Sequence, residues 1–228
     1  MLTDAELQAL WLSLKVSARG VVFALPFAIA CAWVLGRQRF WGKTLFDGVV
    51  HLPLVVPPVV VGYLLLVLFG VQGVIGKPLN DWLGIRLVFT AAGASLAIAV
   101  TTFPLMVRAI RLSIEAIDIR LEDAARTLGA RPLDRFVTVT LPLMLPGILA
   151  GAVIAFSAGL GEFGAVITFV SNIPGETQTL PLAIYAATQT PGGEAAAARL
   201  ALLSIALAFG GLLLSEFLGR RVKRMFGH

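Results

Sequence analysis

Charged residues are scarce in this chain of 228 residues, at 14%, where an ordinary soluble domain carries about 25%. Hydrophobic residues make up 58%, more apolar surface than one water-soluble core needs. The single cysteine, Cys31, excludes an intrachain disulfide and leaves the redox compartment unread. Histidine is nearly missing as well: with only His51 and His228, a metal site or a Ser/His/Asp arrangement has little to build on. No catalytic or metal-ligating residue is therefore expected. No linker, low-complexity segment or repeat of fixed period divides the chain, so residues 1–228 read as one transmembrane domain.

What the sequence has instead is long uncharged runs. Gly20–Gly36, Leu52–Gly70, Leu87–Val107 and Phe136–Gly161 approach or exceed the length that a helix needs to cross a hydrocarbon layer, about 17–20 residues. A fifth run, Leu200–Ser215, is extended upstream by small residues from Ala195. The fold class that follows is all-α, a polytopic membrane protein of about five to six transmembrane helices. Lys15–Cys31 also has the order of a signal peptide, but the further spans make it the first helix of a membrane domain.

Net charge is +5, and its distribution argues for a membrane and against nucleic acid. Alternating the five spans places Arg37–Lys43, Arg108–Arg135 and Arg220–Arg224 on one side, with 13 of the 18 Lys and Arg residues. Basic loops stay cytoplasmic during insertion, which puts the amino terminus outside and the carboxyl terminus in the cytoplasm. Lys15 and Arg19 then sit at the outer end of the first helix, a tension that Asp4 and Glu6 soften.

Between the spans, residues 1–15 suit a short surface helix and Gly36–Gly48 a short cytoplasmic turn. Val71–Arg86 carries Gly73, Gly76, Pro78 and Gly84, the composition of an outer loop. Pro53, Pro57 and Pro58 mark a kink in the second span, tolerated at membrane depth only where protein or water satisfies the freed carbonyls. Val107–Leu141 holds six basic and five acidic residues and must project into water. Within it Leu121, Ala124, Ala125 and Leu128 share a helical face, and Gly129 is a natural stop. Beyond the fourth span, Phe163–Val170 and Leu180–Thr188 are apolar but too short to cross.

Nucleotide binding by the chain itself is not expected. Gly36–Thr44 (GRQRFWGKT) has five residues between its glycines where a phosphate-binding loop has four, and it follows a membrane helix rather than a strand. Glu162, in GLGEFGA at the end of a span, is costly at membrane depth and is a candidate for gating or for capping a neighbouring helix.

The charged segment carries a resemblance. Asp123-Ala124-Ala125, three residues, Gly129, nine residues, then Val139-Thr140-Leu141-Pro142 is similar to the E-A-A…G…I-x-L-P loop of bacterial ATP-binding-cassette importer permeases. Asp123 stands where glutamate is usual and Val139 where isoleucine is usual; Glu122 supplies a longer carboxylate next door. HLPLVVPPVVVGYLLL, FPLMVRAIRLSIEAID, GEFGAVITFVSNIPGETQTLPLAIY and QTPGGEAAAARL resemble molybdate permease subunits in particular, with tungstate open as a further substrate and sulfate and thiosulfate permeases the nearest competitor.

That resemblance implies a type I importer permease fold, a coupling loop over about 112–138, and a coupling helix at Glu122, Asp123, Ala124, Ala125, Arg126 and Gly129, anchored by Leu141 and Pro142. It implies two copies of a cytoplasmic ATPase that carries ATP and magnesium. It also implies a second permease copy, expected as a homodimer, and a periplasmic molybdate-binding protein. No cofactor is expected on this chain, whose other neighbour is membrane lipid. An anion path needs small and polar side chains, so Pro57, Pro58, Thr101, Thr102, Ser157, Glu162, Ser171 and Asn172 are candidates for the pathway or gate. A passive channel has no use for a docking helix, and a membrane enzyme would need paired ionisable groups that the spans lack.

Overall fold

The structure, a computed structural model, describes residues 3–226, and from residue 212 onward the side chains of 213 and 217 alone. His228 and the side chains of the basic cluster Arg220–Arg224 therefore lie outside the described residues. Every regular element among the described residues is helical. In chain order these are α1 (Asp4–Arg37), α2 (Lys43–Val55), α3 (Pro58–Phe69), α4 (Gly76–Leu83), α5 (Ala91–Glu115), α6 (Ile119–Thr127), α7 (Pro132–Arg135), a π-helical turn (Phe136–Thr140), α8 (Leu141–Leu160), α9 (Gly164–Val170), α10 (Leu180–Thr188) and α11 (Glu194–Phe226). Among the described residues, four helical stretches are long and apolar enough to cross a bilayer: α1, α5, the continuous run Pro132–Leu160, and Glu194–Gly211 of α11. The pair α2 and α3 adds a fifth only if counted as one span, because the chain bends by 111° between them.

Helices α1, α5 and α8 form the centre. In lipid there is little hydrophobic drive between helices, so close packing must come from small side chains. The buried stripe of α1 is Ala9, Ser13, Val16, Gly20, Ala24, Ala28, Ala32 and Leu35, a helical repeat made mostly of small residues. A Cβ on Gly20 would lie 2.7 Å from the Ser95 carbonyl oxygen, and one on Gly147 would run into the Ser113 side chain. Gly20 lies against Ser95 and Gly36 against Ile114, so α1 and α5 run the same way, while Gly147 lies against Ser113 and Gly159 against Ile98, so α8 runs opposite. The start of α11 sits beside α1 through Arg199 and Glu6, at 2.9 Å, and Gly211 meets Ser157 further along, so α11 runs with α1. The ends at Arg37, Glu115 and Leu141 therefore share one face of the bundle, the basic end. Its core is Leu35, Met106, Ile110, Ile114 and Met144; the opposite half packs Val16, Ile98, Val166, Phe169 and Leu182.

Several sequence expectations are corrected. Residues 1–15 are not a separate surface helix: Thr3 and Glu6 form a capping box and α1 runs unbroken from Asp4, because Ala9 packs on Leu180, Ala183 and Leu200. The turn after α1 is shorter than Gly36–Gly48, since α2 starts at Lys43. The second span is broken rather than gently kinked, with Pro57 ahead of α3 and Pro58 in its first turn. Val71–Arg86 includes the eight-residue helix α4. Helix α5 carries on to Glu115, so the charged segment leaves the bundle later than Val107.

Candidate functional site

The segment linking α5 to α8 is built at the basic end. Ile117 is buried, and Asp118 starts α6 by accepting a bond from the Arg120 N–H at 2.9 Å. Gly129 ends it in the left-handed region, φ +85°, with its N–H donating to the Arg126 carbonyl at 3.0 Å and the Ala130 N–H to the Ala125 carbonyl at 3.1 Å. The loop is then tied down by one carboxylate. Glu122 Oε1 accepts from Arg37 Nε at 3.1 Å and from Thr140 Oγ1 at 3.2 Å, and lies 3.0 Å from Arg37 Nη2. Arg37 Nη2 also donates to the Ile117 carbonyl at 3.2 Å. The Arg37 and Glu122 side chains are 14% and 18% exposed, so a half-enclosed ion pair joins α6 to the ends of α1 and the π-helical turn.

The other side of α6 is bare. Leu121, Asp123, Ala124, Arg126 and Gly129 are exposed, Ala125 is half-buried, and Leu128 is 88% exposed. Leu121 and Leu128 are thus turned away from the bundle. Glu122, expected with Asp123 on the coupling surface, instead faces the bundle. Leu141 packs on the core at the basic end, and Pro142 stands where the π-helical turn passes into α8, inside the continuous run, so it withholds one donor from the helical ladder at that junction.

The sequence reading missed a charged face between α2 and α5. Arg111 Nε donates to Glu115 at 2.7 Å and Nη1 to Asp47 Oδ2 at 3.1 Å, while His51 Nδ1 lies 3.1 Å from Asp47 Oδ1. Arg108, one turn earlier on α5, is exposed beside them. The signal was present: Arg108, Arg111 and Glu115 recur at helical spacing on the last turns of an apolar segment.

The expected pathway residues do not converge. Thr101 and Thr102 are buried and donate to the Ile98 carbonyl of their own helix at 3.2 and 2.7 Å, an internal role. Ser157 lies under α11, with its Oγ 2.8 Å from where a Cβ on Gly211 would stand. Pro57, Pro58 and Glu162 gather where α3 meets α9: Glu162 Oε1 caps α9 by accepting from the Ala165 N–H at 3.0 Å, and a Cβ on Gly164 would come within 2.9 Å of Pro58 Cβ. Ser171 adopts φ +63°, held by the Thr177 hydroxyl donating to its carbonyl at 3.1 Å. Asn172 Nδ2 reaches the Leu182 carbonyl at 3.5 Å, and its buried Oδ1 has no partner among the described residues. The loop is fastened to α1 by the Leu180 N–H, which donates to Ser13 Oγ at 2.7 Å.

Known proteins share both sequence and shape with the chain. It is 62% identical over 220 residues to the Molybdenum transport system permease protein ModB of Escherichia coli (strain K12), covering 96% of each. It is 57% identical over 222 residues to the ModB protein of Haemophilus influenzae, covering 97% of each. The Sulfate transport system permease protein CysT of Salmonella typhimurium is more distant, at 37% over 204 residues, covering 88% of this chain and 73% of the relative. Among solved structures, the MetNI methionine ABC transporter in an inward-facing form matches with TM-score 0.76 at 15% identity, over 97% of this chain and 99% of that one. A bacterial ABC transporter for import of alginate matches with TM-score 0.75 at 17% identity, over 96% of this chain and 80% of that one. Both establish the permease fold. Residues 24–224 match the family described as "Binding-protein-dependent transport system inner membrane component", and the chain belongs to that family.

Proposed function

We propose that the chain is the membrane-spanning pore subunit of an ATP-driven importer that carries molybdate across the bacterial inner membrane. The observation that carries this reading is the bare face of α6 at the basic end, in a chain 62% identical to a molybdenum permease. Leu121 and Leu128 offer apolar contact, Ala124 lets a partner backbone approach, and Asp123 and Arg126 supply charge at the rim. The fitting partner is a cytoplasmic ATPase, two copies serving a pore of two permeases. The far end faces the exterior, where a binding protein delivers the anion, and both the basic end and the carboxyl terminus face the cytoplasm. ATP and magnesium belong to the ATPase.

The ion pair of Glu122 gives the docking helix mechanical purchase. Movement of α6 is passed to α1 through Arg37 and to the start of α8 through Thr140, because both are bonded to the same oxygen. Since α1 and α8 pack on α5 through glycine contacts, the three helices move as one body and a gate shifts rather than flexes. The test is uptake by the full complex in vesicles, with loaded molybdate-binding protein outside and ATP inside. Molybdate uptake that excess sulfate does not suppress supports the proposal. ATP-dependent uptake of sulfate with none of molybdate refutes the substrate, and uptake without ATP refutes the coupling.

A further inference from the structure

The charged face between α2 and α5 lies apart from α6, on two otherwise apolar helices. Arg108 is seven residues before the end of α5, about 10 Å back along the helix axis. Asp47 and His51 stand on the second and third turns of α2, itself an apolar helix. These groups line a cavity of about 330 Å³ together with Arg111, Leu112 and Glu115. By contrast, cavities at Trp33 and Phe136 and at Phe23 and Phe103 are lined by apolar side chains, as a surface against lipid tails should be. A cluster of ionisable groups in the last turns of an apolar helix faces water, protein or the headgroup layer rather than lipid tails, which sets this side of the bundle apart from its apolar faces near the basic end.

Within the cluster the roles differ. Arg111 is spoken for, held between Glu115 at 2.7 Å and Asp47 at 3.1 Å, while His51 Nδ1 lies 2.9 Å from the Asp47 carbonyl oxygen. Arg108 forms no ion pair or side-chain hydrogen bond among the described residues, although three charged neighbours share its cavity. An exposed guanidinium carries a planar fork of donors that fits two oxygens of a tetrahedral dianion. The neighbouring carboxylates, occupied by Arg111, keep the local field close to neutral, so an anion there is held weakly. Weak holding is what a conducting path requires, since a tight site would trap its cargo.

We propose that Arg108 is the cation of a transient oxyanion station at the inner mouth of the pathway, with Arg111, Asp47 and Glu115 as the scaffold that shapes it. This rests on the importer reading and names a site within it. The same chemistry would suit the phosphate of a lipid headgroup, and the experiment separates the two. The complete permease–ATPase complex, without binding protein, is purified in maltoside micelles stripped of phospholipid, and binding of radioactive inorganic molybdate is measured for wild type, Arg108→Gln and Arg108→Lys. The expected result is weak binding by wild type, lowered roughly tenfold or more in Arg108→Gln and partly kept in Arg108→Lys. In vesicles, uptake per ATP hydrolysed should fall in the same order. Equal binding by wild type and Arg108→Gln, or no binding by wild type in phospholipid-free micelles, overturns the station. If wild type itself takes up no molybdate with its binding protein and ATP, the importer reading fails instead, and the two failures are distinct.

Discussion

Replacing Glu122 by Ala removes the single oxygen on which Arg37 and Thr140 both converge. The Arg37 guanidinium, 14% exposed, is then left with the Ile117 carbonyl as its remaining described partner. Bonds to a charged group contribute about 1.5–3 kcal/mol when removal strands the partner. That corresponds to roughly a 10- to 100-fold shift in the equilibrium between an α6 pinned to the bundle and one that swings free. Hydrogen exchange of the amides at residues 119–128 should therefore speed up by about that factor. Uptake by the assembled importer should fall about as steeply while the ATPase stays bound, because Leu121 and Leu128 on the docking face are untouched. Glu122→Gln, which keeps an acceptor but no charge, should fall between. Exchange within about twofold of wild type in Glu122→Ala would mean that the pair carries no mechanical load, and the transmission route would be refuted.

Other perturbations follow from the same contacts. Gly147→Val drives a side chain into Ser113 and the Ala109 carbonyl, and overpacking of about 1–3 kcal/mol should lower the thermal midpoint of the solubilised protein, where Gly48→Ala, with open space around it, should not. Ser13→Ala strands the buried Leu180 N–H, costing about 1–3 kcal/mol and loosening residues 171–179 in hydrogen exchange. At Gly129, φ +85° penalises any side chain, so Gly129→Asp should weaken ATPase binding in a pull-down while Gly129→Asn, which tolerates the left-handed region, is milder.

The parts of this fold that were legible in the sequence are those set by local chemistry. Apolar runs located α5, α8 and much of α1 and α11, Pro57 and Pro58 marked the break between α2 and α3, and Gly129 marked the end of α6. What was not legible depends on neighbours distant in the chain. Thr3 and Glu6 mark a helix start locally, but nothing local joins that helix to the first span without a break; the join goes with Ala9 and Ser13 finding α10 and α11. Nothing local pairs Glu122 with Arg37, 85 positions away. Charge itself misled at Arg108 and Arg111, which were assigned to a watery loop although α5 carries them along the bundle. The pathway candidates were chosen by polarity, and polarity does not tell where a hydroxyl points: Thr101 and Thr102 bond the Ile98 carbonyl of their own helix, as a hydroxyl in an apolar helix most cheaply does.

The central claim is that α6 faces the cytoplasm and receives the ATPase. A single cysteine at Leu128, 88% exposed, in a Cys31→Ser background tests it directly. An impermeant thiol reagent should label it in inside-out vesicles and not in intact spheroplasts, and bound ATPase should protect it. Labelling from the exterior, or equal labelling with and without the ATPase, would contradict the claim.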